Sequence, residues 1–259
     1  MKKKYIIIIV VILLLLLVGG YLGYKIYYAN YYDLSHIQNF EKYRDNFVID
    51  EEKFTITTTK IPEEEYLIFK NIKIKNIFEG FESKFNSDEF EFPHSDDSIW
   101  YVLKDNETNK QIAAIGFGRG TSMFEQYNND AYIFGDERVS ETKNMSKVFE
   151  KYNIKNDIDL LKFIEKTKND KNSIFDSIQD MKDFYSIHLL NVVGYSNIEE
   201  LKLIDGNYEG YMIKHNMDSG YIKEYNILKD GKRYCLTFIG LEYFTEEKIQ
   251  DLLNTLVIE

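Results

Sequence analysis

The 259 residues carry 32 Lys and Arg against 43 Asp and Glu, a formal net charge of −11, with one Cys, two Pro, 21 Tyr and 18 Phe. The acidic balance excludes a nucleic-acid partner, because phosphate binding needs a basic patch. The single Cys excludes an internal disulfide framework and a Cys-built zinc site, and the length suits one ordinary domain or two small ones.

Met1, Lys2, Lys3 and Lys4 precede an uncharged run over residues 5–24, which Lys25 closes. Residues 6–18 are Ile, Val and Leu without interruption. At 1.5 Å per residue the run reaches about 30 Å, the thickness of a bilayer core, and in lipid its backbone has to bond internally as a helix. A cleaved signal peptide would have a shorter apolar stretch and a small-x-small site. Tyr24, Lys25, Ile26, Tyr27, Tyr28 and Ala29 offer no such site. The run therefore reads as an uncleaved anchor, with the bilayer as partner to residues 5–24. The three lysines keep the N-terminus in the cytoplasm and place the rest outside. Tyr21, Tyr24, Tyr27, Tyr28, Tyr31 and Tyr32 at the outer end read as an aromatic belt. Gly19 and Gly23 form a G-x-x-x-G face, a candidate for pairing two anchors into a homodimer.

Beyond the anchor, Leu34, Ile37, Phe40 and Tyr43 recur at three-residue steps and predict a helix over 33–47. Strands are expected at 54–59, 66–69 and 72–74, then at 98–104 and 111–118 around the polar turn 105–110. Asn156 or Asp157 caps a helix that turns Ile158, Leu160, Leu161 and Ile164 inward. Ser173 caps a second, with Ile174, Phe175, Ile178, Met181, Phe184 and Ile187 on one stripe. Two hairpins follow, 199–214 through Asp205-Gly206 and 221–239 through Asp230-Gly231. Thr245 caps a closing helix with Glu246 and Glu247 in its first turn. The expected organisation is a cytoplasmic tip and transmembrane anchor (1–25), a juxtamembrane helical segment (26–47) and an exported α+β domain (48–259), an antiparallel sheet covered by helices.

The stretch Ile204-Asp205-Gly206-Asn207-Tyr208-Glu209-Gly210-Tyr211, then Tyr225-Asn226-Ile227-Leu228, Tyr234-Cys235-Leu236-Thr237-Phe238 and the closing helix resembles the end of PsbP-like domains. The resemblance covers about residues 198–259 and is one of hydrophobic and turn pattern. It implies an antiparallel sheet covered by helices and no functional residue.

Residues 79–97 hold seven acidic side chains. Of these, Glu89, Glu91, Asp96 and Asp97, with His94 nearby, are the candidates for a hard cation, which takes oxygen ligands. Their spacing matches no cation loop, and a charged run is ordinarily a solvated face. Asp105, Glu107 and Asn109 begin like an EF-hand, but Lys110 stands at the required glycine, so a hairpin turn explains them. Gly116-Phe117-Gly118-Arg119-Gly120 lacks the spacing of a dinucleotide or phosphate loop, and glycines ending a strand mark a bulge or sharp turn. Cys235, in an apolar strand, reads as a buried small residue. His36, His94, His188 and His215 show no metal spacing. No catalytic or cofactor motif is present. The sequence thus favours a non-enzymatic binding or assembly module on the outer face of a bacterial membrane, with an envelope protein as partner. An envelope hydrolase whose active site leaves no sequence signature is the alternative.

Overall fold

The chain opens as one unbroken helix, α1 (Lys2–Tyr31), of 30 residues. Its stretch Tyr5–Tyr31 is long and apolar enough to cross a membrane, and the most apolar part is wholly exposed. The computed structural model describes residues 2–77, 79–85, 97–129, 136–139, 144–195, 197–217 and 220–259. The chain divides into two units, one of residues 1–44, 131–143 and 166–196, the other of 45–130, 144–165 and 197–259.

In the first unit α1 outlasts the apolar run. Lys25, which closes that run in the sequence, is buried, and its ammonium donates to the Asp176 carbonyl. About two turns later the helix end is tied down again. Arg138 Nε donates to the Tyr31 carbonyl at 3.1 Å, Asn172 to that of Tyr32 at 2.8 Å, and the Tyr32 ring meets Tyr185. Tyr185 in turn donates to Asp136 at 2.7 Å. The helix expected over 33–47 is broken in two. Asp33 caps a 3-10 turn at Leu34–His36, and Asn39 adopts φ +62°, a left-handed conformation that ends a helical run before α2 (Phe40–Asn46).

The second unit begins with β1 (Ile49–Ile56), β2 (Tyr66–Phe69), β3 (Ile72–Lys75) and β4 (Glu82–Phe85). β5 (Asp97–Lys104) and β6 (Gln111–Thr121) form the expected hairpin. Helices α3 (Met123–Asn129), α4 (Ser146–Lys151) and α5 (Asp157–Thr167) follow. The first unit supplies α6 (Ile178–Tyr195), and the chain then returns through β7 (Ile198–Gly206), β8 (Glu209–Met217), β9 (Gly220–Lys229) and β10 (Lys232–Ile239). It closes with α7 (Glu246–Leu253) and β11 (Val257–Ile258).

Eight strands make one sheet in the order β1-β7-β8-β9-β10-β6-β5-β4, and three make another, β11-β3-β2. The larger sheet is mixed, which corrects the antiparallel expectation: β1 pairs with β7 in parallel, Ile49 beside Leu201 and Phe54 beside Ile204. Hairpin reasoning sees only neighbouring strands, and this pair is separated by most of the chain. β1 also lies earlier than expected. Thr57 and Thr58 leave the sheet, their N–H groups taken by the side chains of Asn254 and Asn207.

One face of the large sheet, with Ile115, Phe117, Tyr225, Ile227, Leu236 and Phe238, forms a single core with Ile72 and Ile74 of β3 and with Ile249, Leu252 and Leu253 of α7. The fold is α+β, a mixed sheet packed with helices. Trp100, Val102 and Ala114 cluster separately. There the glycines expected to end β6 lie inside it: a Cβ on Gly116 would come within 2.6 Å of the Trp100 ring, so only glycine lets the indole lie flat on the strand.

Of the expected caps, one is found at the first of its two candidate positions and one is displaced. Asn156 caps α5, accepting from the Asp159 N–H at 2.8 Å. Asp157 is fully buried and turns instead to α3, accepting from the Phe124 N–H at 2.8 Å and the Met123 N–H at 3.2 Å. Ser177 rather than Ser173 caps α6, accepting from Asp180 N–H, because residues 173–176 form a turn closed onto Asp176. Phe175, placed on the apolar stripe by spacing, is consequently 89% exposed.

Candidate functional site

Two recesses and one half-buried polar face carry the chemistry. The first recess lies wholly in the unit that contains α1, a pocket of about 450 Å³. The chain just past α1 and the loop after α5 build it. It gathers three cationic side chains (Arg44, Lys168, Lys171) and three carboxylates (Asp33, Glu41, Asp170). His36 closes one side, its Nε2 donating to the Asn30 carbonyl at 3.0 Å. Lys168 is buried although charged, and Arg44 is half-buried. Burial would raise the Asp33 pKa. The hydroxyl and N–H of Ser35, at 2.5 and 2.9 Å, together with the positive charge of His36 and Lys171, outweigh it and hold the carboxyl below its ordinary value. The arrangement presents both signs of charge in one concavity.

The second recess, about 480 Å³, lies in the other unit between β1, β7 and α7 and is lined by Glu52, Phe54, Thr55, Lys202, Gln250 and Asn254. Lys202 sits among Glu52 at 2.9 Å, Glu200 at 3.0 Å and Asp50 at 3.7 Å, and bonds to Glu52 and Glu200 raise its pKa. An ammonium so surrounded stays charged and is no general base.

The half-buried polar face lies on β8–β10, opposite the core. Arg233 keeps its charge against desolvation, with the Tyr211 hydroxyl and the Glu224 carboxylate beside it. The Cys235 thiol lies 3.3 Å from the Thr237 hydroxyl, and burial with the negative charge of Glu224 pushes its pKa up despite Arg233. Cys235 is half-buried rather than fully buried, and a thiol held protonated is a poor nucleophile. Burial lowers the His215 pKa against the pull of Glu224. His188, in the first unit, is fully buried with Nε2 3.0 Å from Thr167 Oγ1; burial depresses its pKa to about 3, so it is neutral.

Glu89, Glu91, Asp96 and His94 lie outside the described residues. Asp97 opens β5, its backbone opposite Arg119. Among the described residues no group of three or more His, Cys, Asp or Glu is placed to hold a metal ion. Gly19 and Gly23 lie on an open helix face, with nothing within 4 Å of a Cβ added to either. The six tyrosines of the expected belt divide. Tyr21, Tyr24 and Tyr27 are exposed, whereas Tyr28 is half-buried, Tyr32 is buried and Tyr31 stacks under the Arg138 guanidinium.

Sequence reasoning did not single out Arg44, Lys168, Lys171 or Asp33. Residues 33–44 and 168–171 meet only in the fold, and no local pattern joins them. No protein family matches the chain and no curated protein is detectably similar to it, so the likeness of residues 198–259 to PsbP-like domains is one of pattern alone.

Proposed function

We propose that the protein is a single-pass membrane protein that presents a non-enzymatic binding or assembly module on the outer face of a bacterial membrane. One observation carries the reading. An apolar helix, exposed along its whole most hydrophobic stretch, runs without a break into a folded unit that begins at the buried Lys25. In water that face would stand as a large exposed apolar surface, whereas in a bilayer it meets its natural solvent. Residues 5–24 cross the bilayer, with Tyr21, Tyr24 and Tyr27 at the head-group level of its outer end, and Lys2, Lys3 and Lys4 hold the N-terminus in the cytoplasm.

Charge supports the division of labour. Beyond the first three lysines, the unit containing α1 has nine basic and nine acidic residues, while the other has 20 basic against 34 acidic. A neutral unit next to the anchor avoids repulsion by anionic lipid. The acidic unit offers a surface for a basic envelope protein, and charge complementarity of that kind speeds and selects association. Gly19 and Gly23 leave a flat helix face on which a second anchor can pair.

Alkaline carbonate extraction of membranes expressing the full chain tests the anchor: the protein stays in the pellet, and its appearance in the supernatant refutes the reading. In-cell crosslinking from the acidic unit tests the module. Recovery of one envelope protein, weakened by high salt, is expected, and uncrosslinked monomer alone refutes it.

A further inference from the structure

Phe175 is 89% exposed, more than any large apolar side chain of the anchor, where Leu17 reaches 69%. The turn that carries it is closed from within. The Asp176 N–H donates to the Ser173 carbonyl at 3.0 Å, the Ser173 N–H to the Asp176 carboxylate at 2.6 Å and the Phe175 N–H to the Ser173 hydroxyl at 3.2 Å. Ile174 and Phe175 are thereby held at the tip of a β-turn just ahead of α6. Burying a Phe ring is ordinarily worth a factor of about ten or more in an equilibrium, and this ring forgoes it within the chain.

The place of the turn in its unit says what covers the ring. The carbonyl of Asp176, the next residue, accepts from the Lys25 ammonium. Lys25 lies in α1 between Tyr24 and Tyr27, two of the tyrosines at head-group level. Helical side chains lean toward the N-terminus of their helix, which in α1 is the cytoplasmic end. The carbonyl that Lys25 reaches therefore lies level with Lys25 or on its bilayer side. Consecutive Cα atoms are about 3.8 Å apart, so Phe175 stands within about 4 Å of that height. The nearby carboxylates turn inward. Asp176 accepts from the Ser173 N–H, and Asp180 from the Ser177 N–H at 3.2 Å. An apolar tip at this height, beside a helix that enters the bilayer, meets the boundary of head groups and acyl chains, where aromatic rings are favoured. We propose that the Ile174–Phe175 tip dips into the membrane that α1 crosses, so that this unit meets lipid at two places and is kept from swinging about its helix. This rests on the reading of α1 as a membrane span.

The test uses the full chain carrying Phe175→Trp, reconstituted into phosphatidylcholine vesicles brominated either on the upper acyl carbons or near the chain ends. Fluorescence is the readout, and the parent protein supplies the background of the buried Trp100. The added indole is expected to lose more emission to the upper bromines than to the deep ones and to resist quenching by aqueous iodide. Full quenching by iodide with no loss to either brominated lipid overturns the proposal. Because an indole seeks the interface by itself, the native ring is tested separately, by hydrogen exchange over residues 173–177 of the full chain in bilayer discs. Phe175→Ser is expected to speed that exchange about tenfold, the factor set by the buried ring. Equal rates overturn the proposal. Leu14→Trp, in the middle of the apolar run, reports the span through loss of emission to the deep bromines. If that variant loses emission and Phe175→Trp does not, the tip alone is refuted; if neither does, the span is refuted as well.

Discussion

His188 shows how a single buried side chain writes pH into stability. Its folded pKa, about 3, lies below the ordinary 6.5 because burial disfavours the imidazolium. Below pH 6.5 the unfolded chain gains a proton that the folded chain refuses, so this contribution falls as pH falls, down to the folded value. The residue should cost about 2 kcal/mol of stability at pH 5 relative to pH 8. Replacing it with Gln should remove that part of the pH dependence, as read by urea midpoints at the two pH values. A slope equal to that of the wild type would refute the assignment. At Gly116 the expected outcome is steric: Gly116→Ala sets a methyl 2.6 Å from the Trp100 ring and should destabilise by about 1–3 kcal/mol. Trp100 is the only tryptophan, so a shift in its emission reports the displacement directly.

Elements with local signals were legible in the sequence, and those set by distant contacts were not. The hairpins β7–β8, β9–β10 and β5–β6 follow from alternation and Asp-Gly or polar turns, and the structure places them within a few residues. The last helix likewise begins where Thr245 can accept from the Lys248 N–H, and Thr245→Ala should lower stability by about 1 kcal/mol in thermal or urea unfolding. The strand expected at 54–59 overlaps β1, but its parallel pairing was hidden because its partner lies about 150 residues away. Ser173 and Ser177 are equally good caps by composition; the contact of Asp176 with the Ser173 N–H decides between them. The pocket shares the fate of β1, since its two segments are separated by more than 120 residues.

At the scale of the whole molecule, the net charge of −11 conceals an uneven distribution. The acid excess lies entirely in the unit that holds the large sheet, and the unit that contains α1 is neutral beyond Lys2, Lys3 and Lys4. Salt should therefore weaken partner binding by the acidic unit and leave membrane attachment unchanged, which salt washes of membranes followed by crosslinking can compare. The central claim is that α1 crosses a membrane with the folded units outside. Protease added to intact spheroplasts tests it most directly. The account predicts that the domain beyond Lys25 is digested without lysis while the N-terminal tip stays protected. A domain that resists protease until the cells are broken would contradict it.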